Sequence, residues 1–489
     1  MFKILVEKEL KAILQSPKFV ATFGVCSLLI LLSVFIGIKE YHSSVAQYET
    51  ATQLVDQSLA EATSFYAMTN TVYRKPSPMQ IFVSGVSFDV GRLSKISSSE
   101  DVKLERSSYS ESPLFAVFRF IDFTFIVQVV LSLFAILFTF DAINGERESG
   151  TLKLALSNAI PRGQYLFSKF VGSWLGLTIP LLIPILIGVL LLMVLNVPMT
   201  GDDWAKLVAL IGVSILYFTF FIALSLLVSS ITKQSSVSFL VLLVVWIMLV
   251  LIVPRAATMA AGQLVSVPTV AENESQKDRF RTDQQQLVQE WRQEAWKNRF
   301  TSLEGASREE RRAFYEANRD AWEQEDREVR SEMELKVTEF NRKLNEELRN
   351  IKFEQERLAF LLSRFSPASA YQLTAMNLGG TNTSIKKRYE DQMFAYRETF
   401  STYLTVKQQE ERDERRREAQ KSGSGGRSFM FLGSGGEAVD ASDMPKFVEP
   451  KESLSAVLRP SMIDFGLLSV FTVIAFAGAF VAFIRYDVR

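Results

Sequence analysis

Six apolar runs interrupt an otherwise strongly charged chain. They extend roughly from Phe19 to Ile38, Phe120 to Phe140, Phe167 to Leu195, Leu207 to Val228, Val237 to Val253 and Phe465 to Ile484. About 20 helical residues cross a hydrocarbon core of about 30 Å. A Lys, Arg or Asp at the centre of such a helix costs about 2.5–3.5 kcal/mol, and the runs hold almost no charge. The pattern predicts an all-α polytopic membrane protein with six transmembrane helices, over 18–38, 119–140, 167–195, 205–229, 236–254 and 460–485. A long polar segment precedes the first run and no small-residue cleavage site follows it, so it reads as a retained span.

Between the runs the periodicity changes. In residues 1–17, Phe2, Leu5, Val6, Leu10, Ile13 and Leu14 fall near one helical face and the lysines fall elsewhere, which predicts an interfacial amphipathic helix ended by Pro17. Residues 39–118 begin as a polar helix over 42–68. The alternating stretch IFVSGVSFDV then suggests one or two short strands. Residues 255–459 read as a mostly helical insertion. Two helices are predicted over 273–303 and 307–363, the second opened by a capping box of Ser307 and Glu310. Val337, Phe340, Leu344, Ile351, Leu358 and Leu361 recur along it at heptad-like spacing. That spacing suits either a stalk about 80 Å long or an amphipathic helix folded onto its own domain. SPASAYQLTAMNLGGTNTS breaks the pattern, a further helix follows over 385–421, and the Gly/Ser-rich 421–443 reads as mobile linker.

Charge sets the orientation. The chain has 489 residues with 54 basic and 54 acidic side chains, so nothing suggests a nucleic-acid partner. Lys3, Lys8, Lys11 and Lys18 at the N-terminus, Arg147, Lys153, Arg162 and Lys169 around the second loop, Lys233, and Arg485 and Arg489 all fall on one side if the six runs span. The positive-inside rule then makes both termini cytoplasmic and places 39–118 and 255–459 outside. The single cysteine, Cys26, and single histidine, His42, leave no disulfide framework, no Cys/His metal cluster and little nucleophilic chemistry. Cys26 reads as a packing residue, and Asp122 and Asp464 read as interfacial. No P-loop or other catalytic motif is present. The chain is therefore expected to be no enzyme and to bind no metal or cofactor.

The segment 141–166 contains NGERESGTLKLALSNAIPRG. Ser149 could cap a short helix starting near Gly150, with Glu146 and Glu148 beside its positive end. Leu152, Leu154 and Leu156 would give that helix apolar contacts, and Pro161 and Gly163 would end it. A short stiff helix across the cytoplasmic face suits receipt of force from a soluble partner.

This arrangement, acids followed by SGTL and an L-S-x-x-I-P-R ending between the second and third of six spans, resembles the permease subunits of type-2 ABC exporters. The amphipathic start with LQSPKF resembles the elbow helix of that family. RKPSPMQIFVSGVSFDVGR and SPASAYQLTAMNLGGTNTS resemble the large extracytoplasmic segments of a subgroup near the nitrous-oxide-reductase maturation and gliding-motility permeases. The resemblance implies that a separate ABC ATPase, in two copies, grips this loop as a coupling helix through Glu146, Arg147, Glu148, Ser149, Gly150, Thr151, Leu152, Pro161 and Arg162. It also implies that ATP and Mg are held by that subunit. A second permease chain, identical or paralogous, would complete a dimer in the inner membrane of a prokaryote, moving a substrate that the sequence leaves unidentified. The competing reading is a membrane-anchored sensor or scaffold whose extracytoplasmic helices bind a protein partner without transport.

Overall fold

The computed structural model describes residues 2–66, 68–97, 102, 104–107, 121–157, 160–301, 307–421, 439–450 and 453–485. The chain divides into two compact units. One comprises residues 1–252 and 366–489, and the other 253–365. Among the described residues, six helical segments are long and apolar enough to cross a membrane.

In the larger unit, α1 (Phe2–Leu14) lies against α6 (Arg162–Val194). A Cβ at Gly172 would come within 2.6 Å of the Glu9 side chain, so the absence of one there permits the approach. Ser16 accepts a hydrogen bond from the Phe19 amide and Pro17 takes the first turn of α2 (Pro17–Ala60). α2 includes the first span and continues without a break through most of the polar helix expected over 42–68. Cys26 is fully buried on it, as a packing residue. The second span, α3, consists of Phe123–Phe125 and Ser132–Thr139 in α form, joined by a π-helical Ile126–Leu131. Residues 119 and 120 of the predicted span lie outside the described residues. Two short helices, α4 (Asn144–Glu148) and α5 (Thr151–Ser157), precede α6. Pro180 and Pro184 sit inside α6, which membrane helices tolerate where neighbours satisfy the freed carbonyls. The fourth span is α7 (Gly201–Ile231), opened by a capping box of Thr200 and Asp203. The fifth run is α8 (Ser235–Trp246) with a π-helical Ile247–Ile252, and the sixth span is α14 (Leu454–Ile484).

The predicted strands occur in the expected segment but not in the expected residues. β1 (Asn70–Tyr73) pairs antiparallel with β2 (Leu93–Ile96), Asn70 opposite Ile96. The stretch IFVSGVSFDV between them forms tight turns instead. Its amides bond locally, Phe82 and Val83 to the Met79 carbonyl and Ser87 to that of Ser84. Three consecutive side chains, Ile81, Phe82 and Val83, are buried. A strand sends alternate residues to opposite faces, so burial of three in a row favours a turn sunk into the core.

SPASAYQLTAMNLGG forms a helix, α12 (Pro367–Gly379), capped by Ser366 and packed against α7 and α14. Tyr371 is fully buried, with its ring stacked on Tyr217 at 4.7 Å and its hydroxyl 3.1 Å from Ser214 Oγ. Residues 366–450 therefore belong with the larger unit, whereas the sequence grouped all of 255–459 as one domain. α13 (Ser384–Lys421) supplies Tyr389, Met393, Tyr396, Phe400 and Leu404 to a small core shared with Leu59, Phe65, Val72 and Ile96. These aromatic contacts, far apart in sequence, account for the regrouping. The predicted mobile stretch 421–443 lies largely outside the described residues. Asp464, in the first half of α14, is fully buried.

The smaller unit contains α9 (Val253–Leu264), α10 (Val270–Thr301) and α11 (Arg308–Ser363). Ser307 and Glu310 form the predicted capping box, Ser307 Oγ accepting from the Glu310 amide at 3.3 Å and Glu310 accepting from the Ser307 amide at 2.8 Å. α11 packs on both α9 and α10, so its heptad-like stripe folds against its own unit. Val337, Phe340, Leu344, Ile351 and Leu358 are half-buried and Leu361 is exposed.

Candidate functional site

The segment between the second and third spans is held by its rear face. Asn144, fully buried, donates from Nδ2 to Thr232 Oγ1 at 3.0 Å and to the Gln234 carbonyl at 3.3 Å. The amides of Ile143 and Asn144 both donate to Ser229 Oγ. Glu148 accepts from the Ser235 amide and hydroxyl, each at 2.8 Å, and so caps α8 with a negative charge at its positive end. The loop is thereby fastened to the turn between the fourth and fifth spans.

Glu146 provides a second attachment. Its carboxylate bonds Lys169 Nζ at 2.7 Å and Lys8 Nζ at 2.8 Å, and accepts from the Tyr165 hydroxyl. Lys169 is itself buried and also bonds Glu9 at 2.6 Å. Tyr165 stacks on Phe483 of α14 at 5.6 Å, and the Arg162 guanidinium donates to the Ile484 carbonyl at 2.7 Å. One carboxylate of the loop is thus bonded to α1 and α6, and through Tyr165 it adjoins α14. A buried charge persists only when paired and hydrogen-bonded, and here both partners of the central pair are.

The helix of the loop differs from the predicted one. Ser149 does not cap a helix at Gly150. It closes α4, its hydroxyl reaching back to the Gly145 and Glu146 carbonyls. Gly150 takes φ +75°, which reverses the chain between α4 and α5. Glu146 and Glu148 lie within α4 rather than ahead of a longer helix. Gly163 lies in the first turn of α6, which Pro161 precedes as N-cap.

The predicted site residues therefore separate into two groups. Glu146, Glu148 and Arg162 engage other parts of this chain, and Leu152 is buried beneath α5. Ser149, Gly150, Thr151 and Lys153 are exposed, and Leu154 is 68% exposed, while Arg147 is intermediate. Glu9, Tyr165, Asn144 and Ser235 were not singled out from sequence, and Lys8 and Lys169 counted only toward orientation. Lys169 carried a signal: two turns into an otherwise apolar helix, a lone lysine is costly unless partnered.

The front edge is thus an exposed, partly apolar patch on a loop whose back is pinned to the spans around it. The chain matches the family described as ABC-2 family transporter protein over residues 4–488, nearly its whole length. No curated protein matches it. With six apolar spans and this family match, the chain belongs to the ABC-2 transporter family, as the multi-pass membrane permease of an ABC transporter that works with an ABC ATPase.

Proposed function

We propose that this permease is the membrane half of an exporter and that its ATPase docks on the exposed edge formed by Ser149, Gly150, Thr151, Lys153 and Leu154. The observation supporting this most strongly is the contrast across the loop. Its outward residues are exposed, while Glu146 and Glu148 bond the elements that would have to move. Glu146, Glu148 and Arg162 act as transmitters rather than as direct contacts. The loop, α1 and both termini lie in the cytoplasm of a prokaryote, and the segments after the first and fifth spans lie outside. Two permease chains work with two ATPase subunits, and ATP and Mg are bound by the ATPase alone.

Copurification from the native host tests the docking edge. The wild-type chain should bring down an ABC ATPase, and Leu154→Asp should lose it while keeping its own thermal stability. Retention of the ATPase by Leu154→Asp and by Lys153→Glu together would show that the partner sits elsewhere.

A further inference from the structure

Beyond its apolar run, α2 carries Ser44, Gln47, Tyr48 and Ala51 on one face, at the spacing of a single helical stripe. This stripe forms one wall of a cavity of about 150 Å³. The opposite wall holds Arg74, Arg92 and Arg106. Arg74 follows β1, Arg92 precedes β2, and Arg106 follows Glu105, which is bridged to Leu93 of β2. The Arg74 amide donates to the Arg92 carbonyl at 2.8 Å, and the Arg92 amide to the Arg106 carbonyl at 3.2 Å. Like charges lining one cavity repel one another.

Among the described residues no carboxylate pairs with any of the three arginines. The Arg74 guanidinium donates to the Ser87 carbonyl, and Arg92 Nη1 to Gln47 Oε1 at 3.3 Å. Arg74 Nε is buried and has no hydrogen-bond partner. Burial holds the Arg74 guanidinium pKa below its ordinary value, with Tyr389 opposing the shift and the neighbouring Arg92 charge adding to it. The nearby Glu449 accepts from the Tyr48 hydroxyl at 3.3 Å and is not part of the cavity wall. The aromatic rings of Tyr48, Tyr73 and Phe88 complete the lining. A buried donor left unpaired, as Arg74 Nε is, costs about 1–3 kcal/mol, which a bound anion would relieve.

We infer that this cavity is a binding site for a phosphate monoester, held by Arg74, Arg92 and Arg106 with an apolar or aromatic moiety against Tyr48, Tyr73 and Phe88. Guanidinium forks match phosphate oxygens two at a time. A near-dianionic monoester balances three cations better than one carboxylate does. Two sources share this chemistry. A smaller cavity shares Gln80 and Phe88 with the first and reaches Ile36 and Gly37 on the apolar run of α2. Ile36 and Ile121 beside it are 44% and 55% exposed, so a lipid headgroup could enter from the membrane boundary. Asp122 in that cavity is already committed, accepting from Ser84 and from the Phe125 amide, while Glu40 also lines it. The other source is a soluble phosphorylated molecule. The inference does not depend on the ATPase docking edge.

The test is isothermal titration of the full-length chain in detergent with three probes: dihexanoyl phosphatidic acid, dihexanoyl phosphatidylcholine and inorganic phosphate. Phosphatidic acid should bind and phosphatidylcholine should not. Removing a guanidinium should weaken binding roughly tenfold or more, so Arg92→Gln with Arg106→Gln should lose about a hundredfold. Arg92→Lys with Arg106→Lys should lose less, and Lys95→Gln, on the exposed side of β2, should lose nothing. Should the double glutamine variant misfold, Arg106→Gln alone gives the same readout, because that side chain is exposed. Binding of inorganic phosphate as tight as that of phosphatidic acid would support the site and assign it to a soluble ligand. Binding of phosphatidic acid alone would support it and assign it to a lipid. Binding of neither anion, or binding that the arginine variants leave unchanged, would overturn it.

Discussion

Lys169 and Lys336 each bond a glutamate, at 2.7 Å to Glu146 and 2.8 Å to Glu332. The chemistry is the same and the setting is not. The Lys169 side chain is 5% exposed and that of Lys336 is 57% exposed. In the smaller unit, ion pairs at i, i+4 recur along α11 in water, where side-chain entropy and solvent screening cancel most of the attraction. In the larger unit, Lys169 has left water and has Glu9 and Glu146 as its ion-pair partners. Counting ion pairs would rank the smaller unit as the better braced. Burial reverses that order.

The largest expected effect follows from this difference. Lys169→Ala leaves the partly buried Glu9 without its cation and Glu146 with only the exposed Lys8, and should cost about 3–5 kcal/mol, read as a loss of monodisperse protein and a lower unfolding temperature in detergent. If the variant melts with the wild type, the cluster is wetter than its geometry indicates. Glu146→Gln keeps the shape of the site and should lower ATPase stimulation in liposomes more than it lowers stability.

Next comes a change at the interface of α10 and α11. Phe280 and Phe340 stack at 4.0 Å between the two helices. Phe340→Ala should cost about 1–3 kcal/mol, because the ring is half-buried. Hydrogen exchange of the full chain should quicken over 270–363 and stay unchanged over the six spans. Exchange that quickens equally in both units would mean that they unfold as one.

Acid should act on the same pair of helices. Arg292 Nε and Nη2 hold the Asp326 carboxylate at 2.6 and 3.0 Å, and these hydrogen bonds keep it below its usual range. A depressed carboxyl pKa contributes stability that is fully present above the unfolded value, near 4, and is lost as pH falls through the folded value. Protection over 270–363 should therefore weaken progressively below about pH 4, and Arg292→Gln should flatten that part of the profile. The smallest effect belongs to Lys336→Ala, which should shift no measurable property at neutral pH. A clear loss there would show that exposed pairs in α11 act as a network.

The spans were legible because the bilayer selects on one quantity, the length of an uncharged apolar run, and the sequence displays it directly. The capping box at Ser307 and Glu310 was legible because its partners lie three residues apart. What escaped depended on distant partners. α12 reads only as a break in the helical pattern until α7 and α14 enclose Tyr371. The strands at 70–73 and 93–96 are four residues each, with too little alternation to outweigh the more apolar turn between them. Within the loop, Glu146 and Glu148 read as outward-facing charges, since nothing local reveals that Lys169 and Ser235 wait for them.

The unbroken course of α2 has a mechanical consequence. At 1.5 Å per residue its 44 residues make a rod about 66 Å long, with no proline after the first turn to absorb bending. Its start follows α1, which shares the Lys169 cluster, and its far half forms a wall of the arginine cavity. A rod of that length tilted about its base by only about 5° sweeps its tip through about 6 Å, wide enough to part Gln47 from Arg92. A small stroke at the N-terminal end of this helix would thus be geared up into opening or closing of a pocket on the opposite side of the membrane.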